Sequence, residues 1–360
     1  MDKKRIILNI VVVCLILFSL YILQNLLMPK YVSAIVEGSL IEEYYNEKAD
    51  YNHDIIFIGD CEVYESFSPI SLWKNYGITS YIRGSAQQLI WQSYYLLEET
   101  LKYETPEIVV FNVLAMQYNE PQKEAYNRLT LDGMRMSASK IRAVKASMME
   151  DERLIDYIFP ILRYHSRWNE LTSEDFKYVF KKDKLFHNGY YMRVDVKPVT
   201  SIPRGRKLAN YQFGDTAYLY LDKITKLCKD NGIELVLVKV PSIYPVWYDQ
   251  WEQQIEDYAS KNDLLYINFL ELIDEVGIDY SKDTYDAGLH MNLTGAEKLS
   301  LYLGDVLTKT YDLTDKRTNK EYQEIWQEKI DFYEQMKAQQ YYELEKYGYL
   351  KSFGAKAPED

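Results

Sequence analysis

The sequence predicts an α/β protein: a three-layer αβα domain around a five-stranded parallel sheet, with a helical insertion and one N-terminal transmembrane helix. Three observations predict it. Short apolar runs alternate with amphipathic helical stretches from residue 54 onward. The first run, 55–58, stops at Gly59-Asp60-Cys61-Glu62, as a buried parallel strand does when it delivers its end to a site. In the opening stretch, Lys3, Lys4 and Arg5 precede an apolar run over 6–27.

That run has the length of about 20 helical residues needed to cross a bilayer core. It exceeds the apolar core of a cleaved signal peptide, about 7 to 15 residues. Val-Ser-Ala at 32–34 imitates a cleavage site and keeps cleavage as the second reading. The basic cluster before the run, against Lys30 alone just after it, puts the N-terminus in the cytoplasm and the chain from about 31 onward outside. Cys14 is then a small apolar residue within the span.

The remaining elements follow in order. After the strand at 55–58 comes a short helix, "SPISLWKNYG", closed by Gly77, then a second strand, "ITSYI", ending at Arg83-Gly84. "QLIWQSYYLLEETLKY" has helical spacing and "EIVVFNV" is the third strand. "TAYLYLDKITKLCKDNG" is a helix with a glycine stop, followed by a fourth strand, "IELVLVKVP". "DQWEQQIEDYASKND" is a helix and "LLYINF" the fifth strand. "AEKLSLYLGDVL" closes the series as a helix opening after Gly295. Residues 119–213 break the alternation and read as a largely helical insertion over or beside the site. From 313 to 360 the chain is charged and Tyr-rich, with Trp326, Ile330, Tyr333 and Met336 at helical spacing. The expected organisation is an anchor at 1–30, a domain at 31–312 and a helical extension at 313–360.

With 360 residues, 47% hydrophobic and 27% charged, the chain has the composition of a globular protein with one large domain. A net charge of -12 excludes general nucleic-acid binding. The 35 tyrosines suit half-buried polar tips or a sugar-binding surface. Three cysteines and four histidines are scattered without CxxC spacing, so neither a disulfide framework, a metal site nor another cofactor is expected. His53 is expected to be exposed, and His165 and His187 structural. Arg135, Lys140, Arg142 and Lys145 read as a solvated basic face, with contact to an anionic polymer left open.

Sites in parallel sheets gather at the strands' carboxyl ends. Gly59-Asp60-Cys61-Glu62 lies at one such end, and "YDAGLHMNLTG" places Asp286, His290 and Asn292 just before the last helix. This pairing of blocks resembles the SGNH/GDSL hydrolase superfamily, over about 53–310, with cysteine where the superfamily has serine. The resemblance implies a flavodoxin-like SGNH sheet, Cys61 as nucleophile, His290 as base and Asp286 as its orienting group. It implies oxyanion donors at Gly84 and Asn112, with Gly59, Asp60, Glu62 and Asn292 supporting the motifs. Asp286 precedes His290 by four residues where the usual pattern is Asp-x-x-His, so a backbone carbonyl is an alternative orienting group, and Asp283 is further away still.

The anchor and the Gly-x-x-Glu form of the first block make the chain similar to membrane-anchored bacterial proteins of teichoic-acid D-alanylation and exopolysaccharide O-acetylation. That likeness implies an O-acyltransferase or accessory protein at the cell membrane, acting on an envelope polysaccharide or teichoic-acid-like polymer beside a membrane-bound O-acyltransferase. Two rival readings stay open. One is an esterase using the same residues. The other is an inactive scaffold that binds glycan or the acyltransferase partner, with Cys61 as a buried small residue.

Overall fold

The computed structural model describes residues 3–29, 39–46, 52–177, 179–180 and 187–353. The cleavage-like stretch at 32–34, Lys30 and the last residues of the C-terminal extension lie outside them. Five strands, β1 (Ile55–Gly59), β2 (Ser80–Gly84), β3 (Ile108–Asn112), β4 (Glu234–Lys239) and β5 (Leu265–Asn268), form one sheet in the order β2-β1-β3-β4-β5. Every neighbouring pair is parallel. This is the doubly wound order, and its switch point falls between β1 and β3.

The expected alternation explains the layers. In β1 every residue is buried, because both sheet faces are covered. Ile56 and Ile58 pack with the helices Ile90–Thr100, Asp215–Asp230 and Asp249–Asn262. Ile55 and Phe57 turn to the other face, against Pro69–Tyr76 and Leu293–Thr310. A one-residue slip would exchange the two faces. Each such side chain contributes about 1.5–3 kcal/mol by burial. Helix ends follow the sequence: Ser68 caps Pro69–Tyr76, and Gly77 ends it in a left-handed conformation. The last sheet helix opens earlier than expected, at Leu293, because Asn292 caps it by accepting from the Gly295 N–H.

The inserted region differs from a helical block. Short helices fill its first half, from Glu124–Leu131 to Ser173–Lys177, but 191–213 carries neither helix nor strand. Its backbone bonds go to neighbouring loops instead. Asn188 O accepts from Ile82 N at the free edge of β2, and Tyr191 N donates to Tyr64 O. Lys197 bonds Thr284 and Ala287 through its backbone. The C-terminal helix, Lys320–Tyr347, lies back on the domain, with Trp326 stacked on Trp73 at 5.0 Å and Gln340 bonded to Met192 and Val194.

Two surface expectations need correction. His53 is buried and bonded to Glu104, because the chain before β1 is covered by Tyr44 and Tyr81. The basic residues at 135–145 are not one solvated face. Lys140 is buried and donates to Met134 O, Arg135 donates to Tyr45 O, and Arg142 pairs with Glu98. Lys3–Leu27 is a continuous helix, long and apolar enough to cross a membrane, as a signal sequence can also be.

Candidate active site

The chain leaves β1 through a turn that only glycine fits. Gly59 has φ 149, and a Cβ there would lie 2.6 Å from Val63 Cγ2 and 3.2 Å from Asn112 Cβ. Asp60 then caps the short helix Cys61–Ser66, accepting from Glu62 N at 3.2 Å. Cys61 is therefore the first helical residue, and its N–H belongs to the turn that has no intrahelical acceptor. Gly84, at the end of β2, pairs with Gly59 across the ladder. A Cβ at Gly84 would come within 3.1 Å of Gly59 O and 3.3 Å of Asp60 O, so glycine here lets β2 close on the Gly59-Asp60 turn.

His290 arrives from the opposite end of the sequence on a tight loop. Positive φ at Ala287 and Gly288 curls the chain back on itself. Asp286 thereby reaches His290 twice: Oδ1 accepts from the backbone N at 2.8 Å, and Oδ2 lies 2.6 Å from Nδ1. The loop absorbs the extra residue in the Asp-to-His spacing. Asp283 is engaged elsewhere, with Thr294 and Lys298. Asn292 is spent on the helix cap and on the carbonyls of Asp195 and Lys282.

A second carboxylate shares the histidine. Glu65 Oε2 lies 3.4 Å from His290 Nδ1 and accepts a hydrogen bond from Tyr285. Tyr285 stacks on the imidazole at 5.9 Å, and the Arg193 guanidinium sits 4.4 Å over the tyrosine ring. Arg193 is itself held by Asp195, so the irregular half of the insertion closes this side. Sequence reasoning missed Glu65, Tyr285 and Arg193. One signal for Glu65 existed: it stands four residues after Cys61, one helical turn away on the same face.

The electrostatics follow from burial. Desolvation pushes the Cys61 thiol up to about 11, with Asp60 and Glu65 adding to the rise and His290 opposing it. Burial alone would lower His290, but Glu65, Cys61 and the bond to Asp286 hold it well above its usual value. Glu65 is raised by burial to about 7, against the pull of His290 and the Tyr285 bond. Cys61 is therefore a thiol at neutral pH, and His290 keeps its proton to higher pH than an ordinary imidazole. Each of the two groups shifts the other's ionisation, through charge and through a side-chain hydrogen bond between them, and among the described residues the buried Nε2 has no other partner.

Asn112 and Glu62 belong to a different cluster. The Asn112 amide donates to Asp60 Oδ1 at 3.1 Å and to Glu62 Oε2 at 2.8 Å. Both of its hydrogens are thus engaged. Glu62 also accepts from Lys239 at 3.2 Å and from Ser242. Lys239 is wholly buried, and its remaining donors go to Val240 O and Ser242 Oγ. Burial, then the Glu62 charge, raises Asp60 to about 7, with Asn112 and Lys239 opposing. Among the described residues no group of three or more His, Cys, Asp or Glu side chains has a metal-holding arrangement.

No known family model matches the chain, and no curated protein matches it. Among solved structures it is similar to a GDSL-like lipase from Bacteroides thetaiotaomicron VPI-5482, at 13% identity, 75% coverage of this chain and 98% of that one, and TM-score 0.37. It is also similar to an acylhydrolase candidate from Bacteroides fragilis NCTC 9343, at 13% identity, 75% and 94% coverage, and TM-score 0.36. Likeness at that level assigns no residue a role.

Proposed function

We propose that the chain is a membrane-anchored, extracytoplasmic SGNH-like acyl-transfer enzyme working through Cys61 and His290. The observation that carries this reading is the histidine: Nδ1 is held by Asp286 at 2.6 Å, a side-chain hydrogen bond and charge link the imidazole to Cys61, and among the described residues the buried Nε2 has no other partner. Such a group is costly to bury unless it serves chemistry. When His290 is neutral, Nε2 takes the thiol proton and Sγ attacks the carbonyl of an acyl ester or thioester. The S–C bond forms, the bond to the leaving group breaks, and the imidazolium returns its proton to that group. In the second half His290 deprotonates an acceptor hydroxyl, which takes the acyl group from the thioester and frees the thiol. The Cys61 N–H supplies an oxyanion donor. Asn112 joins it only by giving up a bond to Asp60 or Glu62. With water as acceptor, the same steps make an esterase.

Lys3–Leu27, preceded by basic residues, would tether the domain outside the membrane beside a membrane-bound O-acyltransferase, with an envelope polysaccharide or teichoic-acid-like polymer as acceptor. The rival scaffold reading draws on the raised thiol, which leaves Cys61 un-ionised at neutrality. Envelope acylation in cells, measured beside the amount of protein, separates the two. Cys61→Ala should abolish acylation at normal expression, while Cys61→Ser keeps part of it. Normal acylation with Cys61→Ala would leave the scaffold reading standing.

A further inference from the structure

The anchor helix is not free along its whole length. Residues 3–21 are exposed, but Ile22, Gln24, Asn25 and Leu26 are half-buried and Leu27 is buried. The cover comes from the insertion, from the helical pieces Ile161–Tyr164, His165–Asn169 and Ser173–Lys177. Arg167 fastens the junction, donating to Leu27 O at 2.5 Å and to Asp175 at 3.1 Å.

Helical rise converts this cover into a depth. At 1.5 Å per residue, the apolar stretch 6–27 extends about 33 Å, against a hydrocarbon core of about 30 Å. Leu27 then stands at the outer boundary of the core, and the covered stretch reaches back from it by about 7–8 Å. The pieces packed on that stretch share its depth. On them and on the turn beside them, Phe159, Leu162, Trp168, Phe176 and Phe180 are exposed, Trp168 at 71% and Phe180 at 72%. Large aromatic side chains left open in a soluble domain are a liability, but at the boundary of a bilayer they are anchors.

We infer that this face of the insertion is seated in the outer headgroup and acyl boundary of the bilayer. The inference rests on the anchor reading above. The partner is lipid, and the contact fixes how the Cys61 site stands over the membrane, because the same insertion continues into the segment bonded to the His290 loop.

The test uses the full chain in vesicles of phosphatidylcholine and phosphatidylglycerol, with phosphatidylcholine brominated near the carbonyl end of its chains as quencher. Trp73, Trp91, Trp251 and Trp326 are buried in the domain, and Trp247 packs against its core. Lipid quenching should therefore come mainly from Trp168, and Trp168→Phe should lose most of it. Equal quenching in the two proteins, or quenching of Trp168 by aqueous acrylamide alone, would overturn the inference while the chain stays in the membrane after alkaline carbonate extraction. Release by carbonate would instead overturn the anchor reading and this inference together.

Discussion

Two carboxylates on one short helix, Glu62 and Glu65, meet opposite fates. Glu62 lies in a closed network: Asn112, Lys239 and Ser242 satisfy it, and every donor of Lys239 is used. Glu65 lies in an open one, where among the described residues the buried Nε2 of His290 has no partner beyond the perturbed thiol of Cys61. A satisfied buried network holds a fold, whereas an unsatisfied one is a place where chemistry can be done. Both hang from the Asp60 turn, so the scaffold cluster positions the reactive one. Changes in the first should cost stability, and changes in the second activity.

The largest effect expected is on rate. His290→Ala removes the base and should lower acyl transfer about 10²–10⁴-fold, with the urea midpoint little changed. A large loss of stability would erase the contrast. Next comes Lys239→Ala, which leaves Glu62 charged and buried without its partner and should cost about 3–5 kcal/mol in urea unfolding. Asp286→Ala should lower the rate less than His290→Ala, because Glu65 at 3.4 Å also faces Nδ1. Adding Glu65→Gln to Asp286→Ala should bring the loss down to that of His290→Ala, since residues acting as a unit do not add.

The smallest effect concerns pH. His290 is held above its usual value, and the reaction needs it neutral, so activity should rise with pH into the alkaline range. The Glu65 charge is one cause of that elevation. Glu65→Gln removes it, the imidazole loses its proton at lower pH, and the rising limb should move to lower pH. A pH profile unchanged by Glu65→Gln would place Glu65 with Glu62 as scaffold.

The sheet was legible because each strand is a short apolar run with its own stop. The two ends of the site were legible because Cys61 and the Asp286–His290 block each stand beside a local signal, a strand end and a helix start. What stayed hidden depends on long-range packing. Lys239 reads as the polar end of a strand, and only the return of Glu62 beneath it makes it an ion-pair partner. Tyr285 reads as one tyrosine among many until it stacks on His290. Arg193 sits in a segment without periodicity, whose order comes from bonds to other loops. His53 looked exposed because its cover, Tyr44 and Glu104, lies on either side of it in sequence and not next to it.

The most direct measurement of the central claim is an acyl adduct on Cys61. The full chain would be exposed at alkaline pH to a small activated acyl ester, quenched in acid, digested and read by mass spectrometry. The open-network reading predicts acyl on the peptide carrying Cys61 in the parent chain and its loss in His290→Ala under the same conditions. No adduct on Cys61, or equal labelling with and without His290, would contradict it.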